Sequence, residues 1–202
     1  MIKEDSIYIT YIILTITSLV SLYALKNKAV FYRLILHPVS ILTKREYYRL
    51  ITSGFVHNSL PHLFLNLFML FIFCSGLEES TSGSGKAPVI IIFFSSLLCG
   101  HLLPLLIHRK DISYSSAGAS GAIFGCMCSY LLFHPNDSLL SIPILGAIPN
   151  IYTVIGYMAV LLILSKKFNH GSIDYSIHLG GGAGGLLPAM IMHPELLRGI
   201  IA

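Results

Sequence analysis

The sequence predicts an all-α integral membrane protein: a bundle of six transmembrane helices with a long, partly embedded first loop. Two observations lead there. Of the 202 residues, 54% are hydrophobic and only 11% are charged, whereas a soluble domain carries about 25% charged residues. The mean hydropathy is +0.77. The apolar residues also gather into six runs, at about 7–25, 61–77, 87–107, 116–133, 148–165 and 175–193. Each is close to the roughly 17–25 residues a membrane helix needs. With short loops, a chain of this length suits one compact bundle, so residues 1–202 are expected to form a single membrane domain.

The first run follows Glu4 and Asp5 and has no A-x-A site after it, so it reads as a retained span rather than a cleaved signal. The first loop, from Lys26 to Leu60, is too long for a turn. Its apolar stretch AVFYRLILHPVSIL is broken by Arg33 and followed by Lys44 and Arg45, a pattern suited to a segment lying in the membrane interface. Tryptophan is absent, which leaves tyrosines as interfacial anchors. The second run opens HNSLPHLFLNLFML, with Pro61 suited to a first helical turn. His62 and Asn66 are four residues apart and share a helix face. The fourth opens Gly118-Ala119-Ser120-Gly121, and the sixth opens DYSIHLGGGAGG, with His178 in its first turn.

Several function classes are excluded. The formal charge of +4 is dispersed over loops, so no nucleic acid partner is expected. Cys74, Cys99, Cys126 and Cys128 lie inside apolar runs without CxxC spacing and read as small buried hydrophobes. His57 and His62 have neither an HExxH pattern nor a nearby carboxylate, so no metal is expected. The Lys and Arg count is ten on the odd loops against three on the opposite side, which by the positive-inside rule puts the odd loops in the cytoplasm. Six of those ten lie in the long first loop.

Polar groups inside membrane helices default to functional hypotheses. Spans two, four and six run in one direction, so their N-terminal residues share a leaflet. At about 1.5 Å per residue, Ser120, His178, His62 and Asn66 are expected roughly 2–10 Å below one surface. Small residues recur every fourth position in span four (Ala117, Gly121, Gly125, Ser129) and in span six (Gly181, Gly185, Ala189). Such ridges let helices approach until their backbones nearly touch, and facing ridges bring Ser120 toward His178. A serine hydroxyl needs a base before it attacks, and neutral imidazole is the usual one. The oxyanion then needs donors, for which His62, Asn66 and the Ser120 N–H are available. Asp174, four residues before His178, reaches it as a third member only if the helix starts early. The surroundings of Ser120 differ by one residue from a G-x-S-x-G elbow, but no strand precedes it. Read one at a time, the same residues are also packing residues or an interhelical hydrogen-bond pair.

From about Tyr48 to Met192 the chain resembles the rhomboid intramembrane serine proteases. HNSLPHLFLN, the EESTSGSGK turn, GASGAIFG and HLGGGAGG carry the likeness, and the rhomboid-like core is taken as about 40–193. The resemblance implies Ser120 as nucleophile, His178 as general base, and His62, Asn66 and Gly118 as the oxyanion and substrate pocket. It also implies transmembrane protein substrates, contact with membrane lipid, no cofactor and no metal. The expected location is a bacterial inner membrane, with the site opening to the non-cytoplasmic side, against the charge count. Tyr48-Arg49 stands where the family often has Trp-Arg, Phe124 where some members have tyrosine, and Ile177 where a small residue is frequent. The rival reading is a catalytically silent relative that binds membrane clients. A transporter predicts midplane polar residues and inverted repeats, and the sequence shows neither.

Overall fold

The computed structural model describes residues 7–142, 146–167 and 174–196. Each of the six apolar runs carries a helix, which satisfies the backbone polar groups within its own segment. Three are long and apolar enough to cross a membrane: α1 (Tyr8–Lys26), α5 (Leu60–Ser80) and α6 (Ala87–Ile107). The others are α7 (Ser120–Phe133), α8 (Asn150–Lys167) and α9 (Tyr175–Met192). Helix α7 begins four residues later than its apolar run, because residues 116–119 are held by the first loop. Its 14 residues rise only about 21 Å.

The helix starts follow local chemistry. Ser59 caps α5 by accepting the His62 N–H, with Pro61 in the first turn. Asp174 caps α9 by accepting the Ser176 N–H at 2.9 Å. Helix α1 has no side-chain cap of its own, and α5 supplies one. The Glu78 carboxylate, 1% exposed, accepts the Ile9 N–H at 2.9 Å and both the N–H and hydroxyl of Thr10 at 2.8 Å. An anion at a helix N-terminus is favoured by the helix dipole, and Lys86 stands 3.2 Å away on the other side.

Helix α9 is the centre of the bundle, gripped between α6 and α7. On one side a Cβ at Gly181 would fall 2.1 Å from the Gly121 carbonyl oxygen, and one at Gly185 would fall 2.4 Å from that of Gly125. The predicted ridges therefore do face each other. On the other side a Cβ at Gly180 would fall 2.4 Å from the Cys99 carbonyl oxygen, and the Ser95 hydroxyl donates to the Gly184 carbonyl at 2.6 Å. This second glycine face was not anticipated.

The first loop is itself folded: α2 (Lys28–Leu34), α3 (Pro38–Lys44), α4 (Arg49–Thr52) and a 3-10 turn at Ser53–Phe55. Buried Arg49 organises it. Its guanidinium donates to the Tyr32 carbonyl at 2.9 Å, the Ile35 carbonyl at 2.8 Å and the Glu46 carboxylate at 2.6 Å. The Tyr48 ring lies 5.6 Å from it, so the expected aromatic-cation pair is present. From α6, His101 Nδ1 donates to the Leu50 carbonyl at 2.8 Å.

The all-α expectation holds for the bundle, with one small addition. Between α7 and α8 a short antiparallel hairpin pairs β1 (Leu140–Ile142) with β2 (Gly146–Ile148), in the register Leu140 to Ile148. Gly146, at φ 75°, supplies a backbone that L residues rarely adopt. Lys3 and Arg198, which entered the charge count, lie outside the described residues, as do residues 168–173 of the fifth loop.

Candidate functional site

The segment before Ser120 has no regular structure of its own and is bonded at three points to chain preceding α5. Leu36 and Ser116 exchange backbone hydrogen bonds of 2.8 and 3.1 Å, and the Gly118 N–H donates to the Ser53 carbonyl at 2.9 Å. The Ala119 N–H then reaches His57 Nε2 at 3.4 Å. Gly118 sits at φ 128°, where a side chain is strained, and an added Cβ would fall 2.9 Å from His62 Cε1. Glycine is required there twice over.

Ser120 is the first residue of α7, behind an N-cap, Ala119, that has no side chain to offer. A first-turn N–H has no intrahelical acceptor, and among the described residues the Ser120 N–H has no other partner. From α5, Asn66 is buried; its Nδ2 donates to the His62 carbonyl at 2.9 Å, while its Oδ1 meets no donor at full hydrogen-bond geometry among the described residues but is near enough to the His57 ring to favour its protonation. His62, half-buried, pairs its Nδ1 with Asn58 Oδ1 at 3.0 Å. With that oxygen as acceptor, the ring proton is on Nδ1 and Nε2 is bare. His178 lies in the first turn of α9, with the Phe124 ring 5.8 Å away. Phe124 in turn meets Tyr157 of α8 edge-on at 6.2 Å. Ile177 is accommodated because position 121 is glycine: a Cβ there would fall 2.7 Å from Ile177 Cγ2.

These residues converge on one place. A cavity of about 410 Å³ is bordered by Ser120, His178, His62, Asn66, Asn58 and Asp174 among others. Ser120, His178 and Asn66 also border an adjoining recess of about 160 Å³, walled by Met69, Ile123 and Met127. Among the described residues, neither the Ser120 hydroxyl nor the His178 imidazole is hydrogen-bonded.

Asp174 is engaged elsewhere. Its Oδ1 accepts the Ser176 N–H and hydroxyl, and its Oδ2 accepts the Tyr114 hydroxyl. It therefore ties the third loop to the start of α9 and makes no bond to His178. Burial, and then the Asp174 charge, push the Tyr114 phenol well above its ordinary pKa, so it stays a donor. The His108 ring stacks on Tyr114 at 3.8 Å.

His57 is the residue that sequence reasoning missed, having weighed it only as a metal ligand. It is fully buried, meets the His62 ring edge-on at 4.9 Å, and holds Ala119 from below. Its spacing of five residues ahead of His62 was the available signal. No group of three or more His, Cys, Asp or Glu side chains is placed to hold a metal among the described residues.

Fold and site together define a helical integral membrane protein with a serine and a histidine bordering one polar-edged cavity, on helices packed through glycine. A family model described as the Rhomboid domain matches residues 44–195. The chain belongs to the rhomboid family. It is similar to "Rhomboid protease GluP" of Bacillus subtilis, 29% identical over 150 residues that cover 74% of this chain and 27% of that protein. It is 28% identical to "Rhomboid protein 1, mitochondrial" of Saccharomyces cerevisiae over 68% of this chain and 40% of the relative. "Inactive RHOMBOID-like protein 8" of Arabidopsis thaliana is 30% identical over 65% of this chain and 37% of its own length. The chain thus spans well under half the length of these three relatives.

Proposed function

We propose that this chain is an intramembrane serine protease of six membrane-crossing helices, cutting transmembrane-helix substrates with a Ser120–His178 dyad. The observation that carries the reading is the shared cavity: Ser120 and His178, from two helices in glycine contact, border it together with Asn66 and His62. His178 takes the Ser120 proton as Oγ bonds to the scissile carbonyl carbon. The resulting oxyanion is met by the Ser120 N–H and Asn66 Nδ2. His62 joins them through Nε2 once the Asn58 amide reverses or the ring gains a second proton. The tetrahedral adduct collapses as His178 gives its proton to the departing amine, and water repeats the sequence on the acyl-enzyme. Catalytic hydrogen bonds are often long or absent without substrate, which accounts for the open dyad. The short α7 favours the same reading, since about 21 Å of helix within a hydrocarbon core of about 30 Å starts Ser120 below the surface.

The test is cleavage of a single-span substrate in liposomes by the wild type, Ser120→Ala and His178→Ala, alongside fluorophosphonate labelling of Ser120. Loss of either residue is expected to lower the rate at least ~10³-fold, as in other Ser–His systems. Cleavage that survives Ser120→Ala refutes the assignment. One observation favours the second reading, a silent client-binding protein: the dyad is not hydrogen-bonded. In that case the probe leaves Ser120 unlabelled, and client binding is indifferent to Ser120→Ala.

A further inference from the structure

We propose that Ser21 and His57 form a positioning relay that fixes the peptide ahead of Ser120, so that a residue of α1 outside the cavity sets the aim of the reacting hydroxyl. The relay starts at Ser21, whose Oγ lies 2.8 Å from the Phe55 carbonyl oxygen and 2.8 Å from His57 Nδ1. A carbonyl oxygen only accepts, so the single hydroxyl proton goes to Phe55. The Ser21 lone pair is then left for the Nδ1–H of His57. A neutral imidazole has one N–H, which leaves Nε2 bare to accept the Ala119 N–H at 3.4 Å. Moving the ring proton to Nε2 would set two donors against each other at Ala119.

Ser21 and His57 are both fully buried, so no water competes for these bonds. Burial, and then the neighbouring His62, hold the His57 pKa down to about 4, which keeps the ring neutral as the relay requires. The consequence falls on Ser120. The Ala119 N–H fixes the plane of the Gly118–Ala119 peptide, where Gly118 at φ 128° has wide backbone freedom. The next peptide carries the Ser120 N–H, and its direction, with that of the Ser120 side chain, follows from the first.

Only the kinetic half of the test rests on the protease reading. A Gln side chain can present its oxygen where Nε2 stands, and an Asn side chain can place its amide only where Nδ1 stands. His57→Gln therefore keeps the acceptor for Ala119, while His57→Asn keeps only the partner for Ser21. With the full chain in liposomes, His57→Asn is expected to lose about tenfold in kcat at unchanged KM, and His57→Gln to stay within about threefold of wild type. Equal kcat in two folded variants, or Asn above Gln, overturns the relay. The second half needs no activity: nitrogen-15 NMR of histidine-labelled protein, with His57→Gln identifying the signal. A His57 ring protonated on Nδ1 is expected. One protonated on Nε2, as it would be if it donated to Asn66 Oδ1 instead, overturns the proposal even where the wild type cleaves nothing.

Discussion

Gly181→Ala tests the link between packing and chemistry most directly. The added Cβ would stand 2.1 Å from the Gly121 carbonyl oxygen, 2.7 Å from its carbon and 2.9 Å from its Cα. All three are backbone atoms of α7, so no side chain can rotate aside. Restoring an ordinary contact of about 3.4 Å means parting the helices there by about 1 Å. Ser120 adjoins Gly121, and His178 lies one turn before Gly181, so the proposed nucleophile and base separate with the helices. Overpacking of this kind costs about 1–3 kcal/mol, partly offset by about 1 kcal/mol of improved helix propensity. A misplacement of about 1 Å in an active site lowers the rate ~10²-fold. Catalysis should therefore suffer far more than stability. Gly156→Ala in α8 is the control, because nothing lies within 4 Å of its new Cβ. The assay pairs thermal unfolding in detergent with cleavage rates in liposomes. If Gly181→Ala melts with wild type and cleaves at its rate, the argument that glycine contact sets the proposed dyad is wrong.

Other perturbations separate neighbouring roles. Gly118→Ala combines a strained φ with a Cβ 2.9 Å from His62, and is expected to cost about 1–3 kcal/mol and to lower cleavage by displacing His62; an unchanged rate would contradict the crowding. Arg49→Ala leaves the Tyr32 and Ile35 carbonyls without their donor and should destabilise by about 2–3 kcal/mol, read from unfolding midpoints, with Arg49→Lys in between. Tyr114→Phe removes one bond to Asp174, for which a rise in proteolytic nicking between α8 and α9 is expected. The pH dependence follows from His57, whose pKa is held at about 4 when folded against an ordinary value of 6.5. Between these values the unfolded chain binds the extra proton, so His57 contributes fully above about pH 6.5 and loses up to about 3 kcal/mol as pH falls to 4. His57→Gln should flatten that decline, and an equally steep decline in the variant would refute it.

What was legible in the sequence was whatever side chains write down. The six apolar runs, the Ser120 and His178 positions and one glycine ridge all announce themselves through residue type and spacing, and the structure brings them together. The Gly-Gly-Gly-Ala-Gly-Gly stretch also holds a second ridge, Gly180 with Gly184, but spacing alone cannot say that both faces of one helix are buried. Only the matching small residues of α6, Ser95, Ser96, Cys99 and Gly100, reveal it. The larger omission was the first loop, expected as an interfacial strip. Its work is done through backbone groups: the Leu36 and Ser53 carbonyls hold Ser116 and Gly118, and those of Tyr32 and Ile35 receive Arg49. Carbonyls leave no mark in composition or periodicity, so a scaffold built on them stays hidden until the chain is folded. The same framework accounts for one of the six cations in the loop. Arg49 serves an internal framework, and a positive-inside count that includes it measures folding as well as topology.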